Sequence, residues 1–244
     1  TVVNGVITTK NHAVVEGLEV SGGTIVVNGS NVQVLGNYIH GSDTHAPYDG
    51  ISVNRVKPYH SNITIKNNRL YQLSHGMGIF CSDNCLIENN EIERLFTIER
   101  CRLSSAGCGA DVDAVRIFGN GITFKNNKIF GNKLSEMWES AHVDGIQSFT
   151  NGGLGGQGYD TLTNTIIEGN YIADVHQAIW MTTASSHFNG IPMSNYNITF
   201  RNNILNNGAG FGSARSAIGG EYADNIYIYN NTFLQSTRFT ATKK

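Results

Sequence analysis

Short runs of alternating apolar and polar residues recur along this chain, and each run is interrupted by Gly-Asn or Asn-Asn. Most copies read apolar, polar, apolar, any residue, Asn or Gly, Asn, any residue and apolar. Seven copies superimpose without gaps, and their second Asn residues are Asn37, Asn68, Asn90, Asn127, Asn170, Asn203 and Asn231. A weaker copy at 14–23 has Leu18 in that place. Because an apolar period of two indicates strands and Asn favours tight bends, each copy predicts a strand, a bend and a second strand.

If the copies stack as successive coils, the second Asn of one copy lies beside that of the next, and the side-chain amides form a hydrogen-bonded ladder. With this pattern the chain resembles the parallel β-helix proteins of the pectin-lyase-like superfamily over nearly its whole length. The resemblance implies an all-β, right-handed parallel β-helix solenoid of about 7–9 coils, with long loops on one side. It also implies that 1–244 form a single domain. It does not define the function, because lyases, hydrolases, epimerases and phage tailspikes share this fold.

A further strand follows each bend, and these strands align on a small residue. The residue before the small one is polar in most copies: Asp49, Met77, Asp113, Asp144, Gln177 and Ser216. The residue after it is aliphatic, and we expect it to face the core: Ile51, Ile79, Val115, Ile146, Ile179 and Ile218. By alternation the next residue faces outward: Ser52, Phe80, Arg116, Gln147, Trp180 and Gly219.

Two aspartates of this alignment mark a candidate site. Adjacent coils lie about 4.8 Å apart, so Asp113 and Asp144 are expected to be close neighbours. Two carboxylates at that distance repel each other and require a cation, a shared proton or strong hydrogen bonds. Arg116 and His142 are the nearby residues that can compensate the charge.

The longest insertions, at 91–112 and 128–143, flank the two strands that carry these aspartates, as expected around a cleft. The alternative is that each Asp only caps the turn into its strand by accepting backbone hydrogen bonds. That alternative is sufficient for Asp49.

Other residues near the aspartates have the character of a sugar-binding surface. Aromatic rings offer apolar faces that stack on sugars, and polar groups beside them bind hydroxyls. The substrate-binding candidates are Gln147, Trp138, Trp180, His176, Glu139 and Arg215. Structural alternatives stay open: Trp180 can instead pack beneath the loops, and His142 and His176 can be structural polar groups.

In the superfamily that the chain resembles, uronate polymers are commonly cleaved by β-elimination, which requires a neutralised carboxylate and a base for the C5 proton. Here Arg116, or a Ca²⁺ ion held by Asp113 and Asp144, is expected to neutralise that charge, since calcium prefers carboxylate oxygens. His142 is the expected base because imidazole titrates near neutral pH. We therefore expect a polysaccharide lyase with Ca²⁺ as the only candidate cofactor.

The first alternative is a glycoside hydrolase that uses Asp113 and Asp144 as its two carboxylates. About 5 Å separates the carboxylates of a retaining pair and about 6.5–9.5 Å those of an inverting pair, so this pair fits retention. Asp144 with Glu136 or Glu139 is a further option. The motif sets of the polygalacturonases, alginate epimerases and pectate lyases are absent from the sequence, so each role is inferred from position.

The second alternative is a non-catalytic solenoid of the glycan-binding or tailspike type. Neither terminal segment contains an amphipathic capping helix, and bare solenoid ends expose strand edges. We therefore expect that the chain is a fragment of a longer protein or that other chains cover its ends. The long insertions beside a charged cluster favour the enzyme.

Composition limits the classes of binding partner and the cellular location expected for the protein. Lys plus Arg total 17 and Asp plus Glu total 19, giving a net charge of −2, so bulk charge favours binding neither to nucleic acid nor to a membrane surface. Four cysteines allow three pairings, and their spacing favours Cys81–Cys85 with Cys101–Cys108 over a zinc site. Disulfides indicate an oxidising, extracellular setting, in which a polysaccharide is the expected partner.

Overall fold

The computed structural model describes residues 1–42, 49–53, 55–95, 111–136, 142–150, 162–183, 187–188, 191–192, 195–206, 216–221, 223–234 and 238–242. Strands dominate this part of the chain, together with one 3-10 turn at Leu134–Glu136. The strands follow one another around a solenoid in three rows, which we call rows A, B and C. No helix among the described residues is long and apolar enough to cross a membrane.

Row A contains the strands that carry the small residue. They are Val6–Thr8, Thr24–Val27, Asp49–Val53, the first half of His75–Glu88, Asp111–Gly119, His142–Thr150, Gln177–Thr183, Ser216–Glu221 and Arg238–Thr242. Row B precedes the Asn bend and contains Val14–Glu16, Gln33–Leu35, His60–Lys66, the second half of His75–Glu88, Ile122–Lys125, Thr163–Glu168, Asn195–Arg201 and Ala223–Tyr229. Because His75–Glu88 runs through both rows, rows A and B belong to one sheet.

Row C follows the bend and forms a separate nine-stranded sheet. Its strands are Val2–Val3, Glu19–Ser21, Tyr38–His40, Arg69–Tyr71, Glu91–Glu93, Lys128–Phe130, Tyr171–Ala173, Ile204–Asn206 and Thr232–Leu234. Neighbours in all three rows pair in parallel, and a short antiparallel pair joins His187–Phe188 to Ile191–Pro192. The parallel β-helix predicted from the sequence is therefore confirmed.

The Asn ladder is present, with its members buried from Asn37 to Asn203. At each step the amide Nδ2 of one Asn donates to Oδ1 of the next, as from Asn90 to Asn127 at 3.0 Å and from Asn127 to Asn170 at 3.2 Å. The left-handed residue is the one before each ladder Asn, such as Asn126 with φ of 55°. The first residue of each bend therefore adopts the left-handed conformation, and the second forms the hydrogen bond to the next coil.

The core between the rows is mostly aliphatic, and the row A positions predicted to face it are buried. One strand was aligned wrongly in the sequence comparison. Met77 pairs with Ile51 on one side and with Val115 on the other, so Met77 and not Ile79 occupies that core position. The outward residue opposite Arg116 is consequently Gly78, while Phe80 pairs with Phe118.

The physical reason for this register is the space available at Gly76. A Cβ on Gly76 would lie 2.4 Å from the carbonyl oxygen of Ala114, so the small residue of this strand has to be Gly76. The segment HGMGIF contains two glycines, and the sequence comparison used the second one. The residue that follows Asp49 in the row is therefore His75, not Met77.

One of the two predicted disulfides lies among the described residues. Cys81 and Cys85 are bonded, with their Cα atoms 6.3 Å apart, and the bond spans the passage from row A to row B. Cys101 and Cys108 lie outside the described residues. The segments 96–110 and 137–141 of the two long insertions also lie outside them.

Candidate functional site

A column of polar side chains crosses row A at the residue before each small position. It consists of Asp49, His75, Asp113, Asp144 and Gln177, which we call the polar column. Direct pairing joins Asp49 to His75, Asp113 to Asp144 and Asp144 to Gln177. Asp113, Asp144 and His75 have 0% exposure, and Asp49 and Gln177 have 7%. The structure therefore brings the two predicted aspartates together as neighbours in a buried polar row.

The side chains of Asp113 and Asp144 each contact the residue three positions later. Arg116 donates from Nε to Oδ2 of Asp113, and Gln147 donates from Nε2 to Oδ2 of Asp144 at 3.3 Å. In a regular strand, residues three apart point to opposite faces. These contacts show that the strand departs from the regular pleat at the small residue between them, which places both side chains on the outer side.

The two aspartates have different electrostatic surroundings. The guanidinium of Arg116, whose side chain is 12% exposed, forms an ion pair with Asp113. One contact of Asp144 is with the uncharged amide of Gln147, which is itself buried at 6% exposure. A buried carboxylate requires such partners because removal of a charge from water is costly. Arg116 and His142 were the predicted residues to compensate the charge of the aspartates, and the structure places Arg116 against Asp113.

His142 begins the strand that contains Asp144, and its backbone pairs with Asp111 on the adjacent coil. Its side chain lies outside the described part of the structure, as do Trp138, Glu139 and Arg215 entirely. The roles of these four residues stay predictions from the sequence.

Trp180 lies on the next coil, where it pairs with Gln147 of the neighbouring strand. It is half-buried on the outer side. His176 has a structural contact: the backbone N–H of Val143 donates to its Nδ1 at 2.9 Å, and its own N–H donates to the carbonyl oxygen of Val143 at 2.8 Å. His176 thus links two coils directly beside the polar column.

Glu136, the other carboxylate considered for hydrolysis, has basic partners. Its Oε2 accepts from Nε of Arg94 at 2.7 Å, and Nζ of Lys133 lies 3.2 Å from its Oε1. The hydrogen bond from Arg94 lowers the pKa of Glu136, so this carboxyl is kept ionised.

Sequence reasoning missed the cation at the first end of the polar column. Nη2 of Arg55 lies 2.8 Å from Oδ2 of Asp49. Burial raises the pKa of Asp49 above its ordinary value of 3.8, and the charges of Arg55 and Arg116 oppose that rise. Arg55 lies in a connection outside the repeat, so no periodic signal marked it.

An aromatic stack on the outer side of row A was also missed. Ring centroids are separated by 5.6 Å from Tyr59 to Phe80, by 4.6 Å from Phe80 to Phe118 and by 5.2 Å from Phe118 to Phe149. The signal was available, because Phe recurs five residues after the column residue in HGMGIF, DAVRIF and DGIQSF. The misaligned strand concealed it.

Cations lie over this aromatic stack. The guanidinium carbons of Arg55 and Arg116 lie 5.7 Å and 5.4 Å from the ring centroids of Phe80 and Phe149, and Nζ of Lys57 lies 5.6 Å from that of Tyr59. Cation–π contact stabilises such arrangements. The outer side of row A therefore combines buried acids with partly exposed basic groups.

Calcium takes roughly six to eight oxygen ligands. In the part of the chain that the structure describes, no group of three or more His, Cys, Asp or Glu side chains is placed to hold a metal ion. The carboxylate of Asp113 bonds to Arg116 instead. The predicted Ca²⁺ stays a prediction, and no step below depends on it.

No family model matches the chain, and no curated protein matches it. Solved structures do match. Two structures of PfbA, a surface protein and adhesin of Streptococcus pneumoniae, are 14% and 15% identical, with TM-scores of 0.59 and 0.64. Each match covers 98% of this chain, which spans 67% and 62% of the PfbA chains. The match to an alginate lyase from Paenibacillus covers 97% of this chain and 91% of the lyase chain, with 11% identity and a TM-score of 0.39. The likeness to PfbA shows that the two proteins share a fold.

Proposed function

We propose that this protein acts on an acidic polysaccharide, as a lyase that cleaves a uronate-containing glycan by β-elimination. The observation that carries the proposal is the position of the Asp113–Asp144 pair beside Arg116 on the outer side of row A. Arg55 adds positive charge along the same side. Basic groups attract the carboxylates of a uronate chain, so this surface suits an acidic substrate in a protein of nearly neutral net charge.

In the proposed reaction Arg116 neutralises the uronate carboxylate, which makes the C5 proton more acidic. His142, two residues before Asp144 in the same strand, is the proposed base that removes this proton. The C4–O bond then breaks, and the leaving oxygen takes up a proton. Asp113 orients Arg116 through their ion pair, while Asp144 and Gln147 line the floor of the site.

Hydrolysis is the second candidate, and the ion pair between Arg116 and Asp113 favours it. An ion-paired Asp113 suits a nucleophile that stays charged, and Asp144 would then serve as the acid that donates its proton. Direct pairing on adjacent coils also fits the short separation of a retaining pair.

Binding of a glycan without catalysis is the third candidate. Asp113 and Asp144 are both fully buried, which is the arrangement expected for carboxylates that stabilise the solenoid. In that case the exposed cations would recognise the glycan, and the aspartates would only orient them.

We also propose that the protein works outside the cytoplasm, at a cell surface or in the medium. The Cys81–Cys85 disulfide supports this location, because such bonds persist in oxidising compartments.

The test is incubation of the protein with a panel of acidic and neutral polysaccharides, with Ca²⁺ or with a chelator. Ultraviolet absorbance reports the unsaturated product of elimination, and new reducing ends report either kind of cleavage. His142→Ala, which removes the proposed base, should reduce activity by about 10²–10⁴-fold, whereas Asp224→Asn, at an exposed row B position, should leave it unchanged.

Reducing ends with rising absorbance would support elimination, and reducing ends alone would replace it with hydrolysis. Retention of a glycan without cleavage would leave only the binding function. Loss of activity in chelator, restored by Ca²⁺, would support the predicted metal.

A further inference from the structure

A pocket of about 600 Å³ opens at the corner where row A passes into row B. Its lining includes Lys57, Tyr59, Ser82, Gly119, Asn120 and Thr163. Gly119 lies six residues beyond Asp113 in the strand Asp111–Gly119, which at about 3.3 Å per residue corresponds to about 20 Å. The corner pocket is therefore separate from the polar column.

The backbone at this corner is closely packed, which fixes the shape of the pocket. Gly119 has φ of 102°, and a Cβ there would lie 2.0 Å from the carbonyl oxygen of Cys81. Only glycine fits this position. The Cys81–Cys85 disulfide joins the same corner to the start of row B. The two coils that form the base are therefore held in one geometry.

One wall is aromatic and carries a positive charge. The ring of Tyr59 packs against Phe80 with a centroid separation of 5.6 Å, and Phe80 stacks in turn on Phe118. Nζ of Lys57 lies 5.6 Å from the Tyr59 centroid. Lys57 is exposed and Tyr59 is half-buried, and both line the pocket.

The opposite wall consists of amide and hydroxyl groups in fixed positions. Oδ1 of Asn120 accepts from Oγ1 of Thr163 at 2.9 Å and from Nδ2 of Asn164 at 2.7 Å. Nδ2 of Asn120 donates to the carbonyl oxygen of Ser82 at 3.3 Å. These bonds set the orientation of the amide, so the wall presents an ordered polar surface.

We propose that the corner pocket binds a sugar residue that carries a carboxylate or a sulfate, as a second glycan site remote from the polar column. The Tyr59 ring contacts the apolar face of the sugar, and Lys57 pairs with the acid group. Asn120, Thr163 and Ser82 bind hydroxyls. A volume of about 600 Å³ lies within the range of small-ligand pockets, and none of the described residues that line it is acidic.

The choice of an acidic glycan rests on the proposed function, whereas the pocket itself does not. The experiment is calorimetric titration with uronate disaccharides, sulfated disaccharides and their neutral counterparts. His142→Ala, which lacks the proposed base, serves as the parent protein, so that cleavage does not consume the ligand. Lys57→Gln and Tyr59→Ala are compared with Lys10→Gln, which changes an exposed lysine on a distant coil.

We expect Lys57→Gln to weaken binding of an acidic disaccharide about tenfold, since a hydrogen bond to a charged group is lost. Tyr59→Ala should weaken it to a similar degree, and Lys10→Gln should have no effect. Thermal unfolding of each variant separates loss of the pocket from loss of the fold. Unchanged affinity in both pocket variants, or equal affinity for neutral disaccharides, would overturn the proposal.

The two proposals fail separately. If no polysaccharide is cleaved but Lys57→Gln still weakens disaccharide binding, the corner pocket stands and the lyase does not. If cleavage occurs and the pocket variants bind as the parent does, the lyase stands and the corner pocket does not.

Discussion

Asp113 and Asp144 pair directly across adjacent coils, yet one carboxylate is bound by a guanidinium and the other by an amide. Both are fully buried. The Coulomb repulsion between two such groups is larger inside a protein than in water. Arg116 therefore stabilises the fold in every proposed function, because it supplies the positive charge beside Asp113.

Replacement of Arg116 by Gln should lower the free energy of unfolding by about 3–5 kcal/mol, because it leaves the buried carboxylate of Asp113 without its cation. The double variant Asp113→Asn with Arg116→Gln should recover much of that loss, since the side chain at position 113 then no longer requires a cation. Denaturant unfolding of the single and double variants measures both values.

Arg69→Gln is the matched control. Nη2 of Arg69 lies 3.0 Å from Oε2 of Glu93, but their side chains are 51% and 24% exposed. Loss of such a surface pair should cost about 1 kcal/mol or less. Equal losses for Arg116→Gln and Arg69→Gln would contradict a charge-compensating role for Arg116.

The centre of the Asn ladder should be far more sensitive than its end. Asn127 donates to Asn170, Ile87 and Lys125, and it accepts two hydrogen bonds from Asn90. Asn127→Ala should destabilise the protein by about 3 kcal/mol or more, because each buried polar group left without a partner costs about 1–3 kcal/mol.

Asn231→Ala provides the comparison. Asn231 makes the same kinds of bonds to Asn203, Phe200 and Tyr229, but it is only partly buried. Water can replace some of the lost partners there, so the loss should be smaller. A greater loss at Asn231 than at Asn127, measured by thermal unfolding, would show that burial does not set the strength of the ladder.

The fold was predictable because a single requirement recurs at every coil. Each bend needs a left-handed residue followed by an Asn that links it to the next coil, and the sequence repeats that pair from Asn37 to Asn231. Adjacent placement of Asp113 and Asp144 followed from the same alignment. The sequence therefore predicts most reliably where a residue lies within the repeated coil.

The sequence was least informative where one strand could be aligned on either of two small residues. Gly76 and Gly78 are both small, and only the distance to Ala114 on the next coil selects Gly76. That contact joins residues far apart in the sequence, so the pattern alone could not choose between them. Arg55 was missed for a related reason, since its ion pair with Asp49 arises from a connection outside the repeat.

Gly119→Ala should destabilise the protein strongly. A methyl group there would lie 2.0 Å from the carbonyl oxygen of Cys81, and φ of 102° is unfavourable for any residue with a side chain. Strained backbone alone costs about 1–3 kcal/mol, and relief of the clash should add to it. A combined loss of about 3 kcal/mol corresponds to a lowering of Tm by roughly 6–12 °C for a chain of this size.

Gly17→Ala separates the two contributions. Gly17 has φ of 64°, and a Cβ there would meet no atom within 4 Å. Only the cost of the left-handed conformation applies, about 1–2 kcal/mol. Equal shifts in Tm for the two variants would mean that the corner at Gly119 can relax, and the fixed geometry assigned to the corner pocket would then be wrong.

Asp49 should make stability fall as the pH rises. Burial raises its pKa in the folded protein above the ordinary value of 3.8, so the native state holds a proton that the unfolded chain releases. Its contribution is fully present below about pH 4 and is lost as the pH rises through the folded pKa. The Tm of the wild type minus that of Asp49→Asn should therefore decrease between about pH 4 and neutrality.

Glu88→Gln should give the opposite trend. Lys66, and then Lys125, lower the pKa of Glu88 below 4.5, so the stability that this carboxylate contributes is present above that pH and is lost on acidification. The Tm of the wild type minus that of Glu88→Gln should therefore fall as the pH drops below about 4.5. Thermal unfolding of the three proteins at matched ionic strength tests both signs. A difference for Asp49 that grows with pH would mean that Arg55 outweighs burial, which would make the first end of the polar column an attractive ion pair.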